Sequence, residues 1–225
     1  VNGFDRLDRE MNRVQANGGE RGILSKMNTF DYSIQHARAI AAAGYGVDST
    51  SNEALTPDLL DTEKYAAVVW ILGKEKGETE ALSIAEREML NNYLSAGGGL
   101  FISGSELAAD LAGRAEASDF LGETLKVGFV EDSADVNEAA AAGGSIFAGM
   151  NNIKFGDKEM SVYPVMSPDV LSPTGESKAA MTYAGGAAAV QFNNSYRLVY
   201  LAFPFESITS ATQRQEVMRR ALEFL

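Results

Sequence analysis

The sequence predicts an α/β fold in which parallel strands lie buried between helices, followed by a β-rich C-terminal half. Three observations carry this. Tyr65–Gly73 (Tyr-Ala-Ala-Val-Val-Trp-Ile-Leu-Gly) is a near-continuous apolar run, the pattern of a strand covered on both faces. Ser83-Ile-Ala-Glu86 is a capping box, in which the serine accepts from first-turn amides and the glutamate reaches back, so a helix starts there. That helix runs to Ala96, Gly97–Gly99 ends it, and Leu100–Ser103 is a second buried strand. Strand, helix and strand with short connections make a parallel crossover. It puts the strand-turn-helix at Gly97–Leu111 at the centre of the expected functional face.

The remaining elements follow in chain order. Val1–Phe4 reads as the tail of a first strand, the pattern of a mature or excised domain with sequence upstream. A polar loop is expected from there to about Met27. A helix over Asp31–Ala43 presents Ile34, Ala37, Ala41 and Tyr45 on its apolar face and stops at Gly44. A short strand at Tyr45–Asp48 leads into Ser51-Asn-Glu53, and Pro57 opens a brief helical turn. The helix that begins after Ser83 presents Ala85, Met89 and Tyr93. Beyond about Leu125, short strands are expected at Leu125–Val130, Ser145–Phe147, Asn152–Phe155 and Ser161–Val165. Met181–Tyr183, Ala187–Phe192 and Tyr196–Phe203 form a meander with turns at Gly185-Gly186 and Asn193-Asn194. Ser210-Ala-Thr-Gln213 caps a final helix carrying Val217, Ala221 and Phe224. No repeat, low-complexity tract or linker divides the chain, so a single domain over residues 1–225 is expected.

Composition narrows the function classes. The 225 residues are 45% hydrophobic and 22% charged, enough to bury a sizeable core. With 31 acidic against 19 basic residues the net charge is -12, a field that repels phosphate backbones and anionic lipid. Nucleic acid and membrane are therefore not expected partners. No apolar run is long enough to span a bilayer. The absence of cysteine removes disulfides, cysteine-type zinc sites and thiolate nucleophiles.

Ligands of open α/β sheets bind beyond the carboxyl ends of the strands. Five such ends carry Asn2, Asp5 and Arg6; Ser51, Asn52 and Glu53; Gly73 and Glu75; Ser103, Ser105 and Glu106; and Pro204, Phe205 and Glu206. Four of the five ends thus carry a glutamate, a pattern suited to a hard cation, to acid/base work or to sugar hydroxyls. A divalent cation is a possible occupant, and no other cofactor is expected. Ser103-Gly-Ser-Glu106 lacks the closing glycine of a nucleophile elbow, since Leu107 stands there. The single histidine, His36, lies off the apolar stripe of its helix, within geometric reach of the functional face. One histidine and no cysteine exclude a histidine-based zinc site. Gly73-Lys-Glu-Lys-Gly-Glu-Thr79 lacks the ending of a phosphate loop, and Ala142-Gly-Gly-Ser145 lies outside a strand-to-helix context. Trp70, Phe203 and Phe205 read as core.

Several of these segments together resemble an extracytoplasmic domain of Bacteroidetes-type proteins. They are Asn2-Gly-Phe-Asp-Arg6, Gln35-His36, Gly44-Tyr45, Ser51-Asn-Glu53, Trp70-Ile-Leu-Gly73, Leu100-Phe-Ile-Ser-Gly-Ser-Glu106 and Phe203-Pro-Phe-Glu206. Chains of this type carry the names xanthan lyase or N-acetylmuramoyl-L-alanine amidase. At fold level the segments resemble the class I glutamine amidotransferase-like group. That resemblance implies a three-layer α/β/α sandwich with a mainly parallel central sheet. It also implies a nucleophile at the Gly97–Leu111 turn and a His-x-Glu pair after a late strand, while the resemblance to the extracytoplasmic domain implies an extracytoplasmic or secreted location. Here the turn holds no cysteine and the late motif holds no histidine, so only Glu206 matches and glutamine hydrolysis is not expected.

Three functions remain open on this basis. The first is a ligand-binding or accessory domain for a small molecule, carbohydrate or cell-wall glycan. The second is a hydrolase acting through Glu106 and Glu206, with Ser105 or Asn52 orienting substrate; it requires the two carboxylates to flank an open cleft. The third is a structural domain of a larger secreted enzyme, packed against an adjacent domain, for which a closed, side-chain-filled face is expected.

Overall fold

The computed structural model describes residues 1–4, 11–14, 19–22, 29–74, 80–157 and 160–225. Met11–Val14 (β1) and Gly19–Gly22 (β2) pair as an antiparallel hairpin, where the sequence predicts a loop. Ser33–Ala42 is α1. Val68–Gly73 (β3), Ile84–Ser95 (α2) and Gly99–Gly104 (β4) form the expected crossover, with β3 and β4 parallel. Both halves of the capping box are made: the Glu86 amide donates to Ser83 Oγ at 3.3 Å and the Ser83 amide to Glu86 Oε2 at 2.7 Å. Leu107–Ala112 (α3) follows the turn.

The rest is mostly strand. Val127–Glu131 (β5), Glu138–Ala141 (β6), Ile153–Lys154 (β7), Val170–Pro173 (β8), Lys178–Thr182 (β9), Ala187–Asn193 (β10) and Arg197–Leu201 (β11) precede α4 at Ala211–Phe224. Nine strands join in one sheet, ordered β3-β4-β11-β10-β9-β6-β7, with β8 pairing β10 and β5 pairing β8. Only the β3–β4 and β4–β11 ladders among these named strands are parallel.

The mainly parallel three-layer sandwich is therefore wrong: the sheet is large and mixed. Chain connection explains it. β9, β10 and β11 are joined by tight turns, closed by the Tyr183 amide on the Gly186 carbonyl and the Asn194 amide on the Tyr196 carbonyl. Strands joined that closely can only run antiparallel, because a parallel return needs a crossover of a dozen or more residues. Of the expected strands, Tyr45–Asp48, Ser145–Phe147 and Ser161–Val165 are not strands, whereas β6 and β8 were not expected. β6 (Glu-Ala-Ala-Ala) has no strand preference of its own and owes its state to pairing with β9 and β7.

The core divides between the two faces of the sheet. On one, Ala39 and Ile40 of α1 and Val217, Met218 and Ala221 of α4 pack with Phe101, Val199 and Leu201. On the other, Leu90, Tyr93 and Leu94 of α2 and Leu107 and Leu111 of α3 pack with Trp70, Ile102 and Tyr200. At the end of β3 the backbone of Gly73 takes φ +53°, and a Cβ there would lie 2.3 Å from the Phe4 ring. Gly73→Ala is expected to combine left-handed strain with overpacking, each on the order of 1–3 kcal/mol. Thermal unfolding should report a Tm lower by roughly 5–10 °C. An unchanged Tm would show that Phe4 swings aside without loss.

Candidate functional site

The strand ends converge on a buried carboxylate. After β11 the chain turns through Pro204 into a 3₁₀ turn at Phe205–Ser207, fixed by Ser207 Oγ donating to the Pro204 carbonyl at 2.6 Å. The turn points Glu206 inward, with none of its surface exposed. Tyr163 donates its hydroxyl to Glu206 Oε1 at 2.5 Å, and His36 Nε2 lies 3.2 Å from Oε2. Both carboxylate oxygens are thus engaged by side chains that are themselves buried. The His36 ring packs on Phe205, while Tyr163 meets Tyr32 and Phe4 edge-on.

His36 is on the buried face of α1, with Ala39 and Ile40, whereas Ile34 and Tyr45 are 42% exposed. The expected stripe was rotated. Alanines occupy several sides of this helix, so its apolar pattern sets the angle weakly, and the Glu206 partner decides it. Burial pushes the His36 imidazole below its ordinary value, while the hydrogen bond and charge of Glu206 pull it up; the Val1 ammonium and Arg214 add to the lowering. Nδ1 is buried without a partner among the described residues, so we assign the neutral Nε2–H tautomer. An imidazolium would leave a second buried N–H unsatisfied.

The Gly97–Leu111 turn is closed as well. Ser103 and Ser105 are buried, and Glu106 is 9% exposed. Asp169, just ahead of β8, accepts from the Ala108 and Ala109 amides at 2.8 and 3.3 Å. The protein's own carboxylate therefore takes the first free amides of α3. Burial pushes Asp169 well above the usual carboxylate range, against those two hydrogen bonds, and the charges of Glu106 and Asp132 add to the rise. Tyr183 and Tyr200, both raised by burial, feel the Asp169 charge, and the Tyr183 hydroxyl has no hydrogen-bond partner among the described residues.

The other expected site residues scatter. Asn2 bridges to Ser51 and Ile71 and donates weakly to the Phe30 carbonyl at 3.4 Å. Asn52 donates to Glu86 Oε1 at 3.0 Å, tying its loop to the start of α2. Glu53 is exposed. Asp5, Arg6 and Glu75 lie outside the described residues. Among the described residues no group of three or more histidines, aspartates or glutamates is placed to hold a metal ion. No described helix is long and apolar enough to cross a membrane. Sequence reasoning missed Tyr163 and Asp169. Tyr163 sat in an expected strand, and Asp169 carried one faint signal, an acidic residue directly before the buried pair Val170-Leu171.

No family model and no curated protein matches the sequence. Solved structures do match the fold. A cytoplasmic protein of Salmonella typhimurium superposes with a TM-score of 0.64 at 12% identity, covering 100% of this chain and 97% of its own. A second cytoplasmic protein, from Salmonella typhimurium LT2, gives 0.61 at 12% identity over 96% of this chain and 91% of its own. A Thermoplasma acidophilum chain named for GMP synthase gives 0.53 at 10% identity over 85% of this chain and 87% of its own. At these identities the likeness shows the fold alone. The extracytoplasmic location implied by the sequence resemblance runs against the names of the two structures that match nearly the whole chain, both cytoplasmic proteins.

Two measurements probe the buried trio. Tyr163→Phe removes a charge-assisted donor to an enclosed carboxylate and should destabilise the fold by about 1.5–3 kcal/mol. In a double-mutant cycle with Glu206→Gln most of that loss should prove to be coupling; additive losses would place the two side chains in separate roles. The second measurement is pH dependence. His36 is depressed in the fold relative to the ordinary 6.5, so below that value the unfolded chain binds the extra proton and stability falls. Denaturant midpoints should drop as the pH falls below about 6.5 in the wild type and less steeply in His36→Gln. Parallel profiles would show that His36 takes its proton without cost.

Proposed function

We propose that this chain is an accessory or structural domain of the class I glutamine amidotransferase-like kind that has no amidotransferase chemistry. One observation carries the reading: Glu206, the residue that matches the family's late motif, is enclosed, with both oxygens held by His36 and Tyr163. An acid/base carboxylate must reach its substrate, and this one reaches only its own fold. The same enclosure counts against the Glu106/Glu206 hydrolase, which needs an open cleft between the two. Asp169 on the α3 amides supports the reading, because amides already bonded to an internal carboxylate cannot also receive a substrate anion. A carbohydrate as ligand rests on the sequence resemblance.

The test is a paired assay on the wild type, Glu106→Gln and Glu206→Gln. All three should release no ammonia from glutamine and hydrolyse no glycan in a panel. Glu206→Gln should lower Tm without changing binding in a glycan and divalent-cation screen. Turnover by the wild type that either substitution abolishes would overturn the accessory reading.

A further inference from the structure

A second concave region lies against the free edge of β3 and reaches the α1 face that carries His36. It is a groove of about 440 Å³, headed by Val1 and flanked by the 45–50 segment on one side and 66–69 on the other. The pattern of backbone hydrogen bonds at its head defines it. The Asn2 amide donates to the Thr50 carbonyl and the Asn2 carbonyl accepts from the Asn52 amide, at 2.9 and 3.0 Å. On the opposite edge the Ile71 amide donates to the Val1 carbonyl, and the Ile71 carbonyl accepts from the Gly3 amide, both at 2.9 Å. Val1–Phe4 is thus held between two parallel neighbours, although only the Asn2 bridges to Ser51 and Ile71 mark it as β-structure.

Both flanks continue past Val1 in the same register. A parallel ladder uses alternate residues of each edge, so the next donors are the Val69 and Thr50 amides and the next acceptors the Ala67 and Asp48 carbonyls. All four residues line the groove. The first rung of this continuation is already in place, since the Val1 nitrogen donates to the Val69 carbonyl at 2.7 Å. We infer that the groove is the seat of an extended, apolar β-strand that runs parallel to β3 and leads directly into Val1. The residue immediately before Val1 would accept from the Thr50 amide and donate to the Asp48 carbonyl. The residue before that would accept from the Val69 amide and donate to the Ala67 carbonyl.

The walls set the chemistry of this strand. On the α1–α4 side the groove is lined by Ile40, Leu222 and Leu225 together with His36, and on the opposite side by Leu55 and Leu60, with Lys64 also in the lining. Successive side chains alternate between these walls, so both sets are mainly apolar, as in a strand buried between helices. A length of four or five residues, on the order of 15 Å, matches the flanks.

The test compares the 225-residue chain with two versions extended before Val1, one by five valine and isoleucine residues and one by five glycine and serine residues. The apolar extension should slow amide exchange at Val69 and Thr50 by about tenfold or more and raise Tm by roughly 5 °C. Equal exchange and equal Tm in the two extended chains would overturn the inference. So would protection of Val69 in the unextended chain that grows with protein concentration, because the groove would then receive a strand from a second copy. The Glu206 assays read turnover and ligand binding in the unextended chain, so their failure and the failure of this inference are distinguishable.

Discussion

Taking a carboxylate out of water costs several kcal/mol, and a fold that does so must surround the charge with donors. Glu206 is the case in this protein. Its donors come from two distant parts of the chain, His36 on α1 and Tyr163 on the segment between β7 and β8. The acidic residue itself follows β11, next to the only parallel ladders among the named strands of the sheet. The trio therefore fixes the angle of α1, the path of the 160s segment and the turn after β11 relative to one another. Hydrophobic burial on the two faces supplies the bulk of the stability. The carboxylate decides which face of α1 is inside, because an arrangement that leaves Glu206 without its donors is costly.

Around that point the apolar packing is consistent with the polar constraint. Phe203 stacks on Phe155 with ring centroids 4.2 Å apart, and Phe205 meets both Phe101 and the His36 ring. Phe203, Pro204 and Phe205 thus anchor the turn in the core while Glu206 anchors it to α1. The aromatic group of Phe4, Tyr32 and Tyr163 ties the N-terminal segment to the same place. Gly73 has to be glycine for this arrangement, since its Cβ would enter the Phe4 ring.

Local signals were legible in the sequence where the chain decides its state locally. The apolar run before Gly73, the Ser83 capping box and the turn residues after Phe192 each gave the correct element. What failed depends on partners remote in sequence. The meander and its two turns were legible and imply antiparallel C-terminal strands, whereas the mainly parallel sheet extended to the whole fold what holds only for the β3–β4 and β4–β11 ladders among the named strands. β6 is alanine-rich and becomes a strand only because β9 offers an edge. His36 was legible as a candidate and misplaced as a surface residue. Its partner, 170 positions away, is what draws it inward.

The same contrast bears on what the site can do. A sequence can show that a carboxylate follows a strand, but whether it serves a substrate or the fold depends on what occupies its lone pairs. Glu206 has both oxygens taken, and Asp169 occupies the first amides of α3. In each case a polar element that could have faced a ligand faces another part of the chain instead. Glu206, with both oxygens held, costs stability to alter and contributes orientation, and this fits a fold whose strand ends have been turned inward. The apolar groove beside β3 is the opposite case. There the backbone groups follow a ladder that runs on beyond Val1, and the interactions still to be made are those of a sheet.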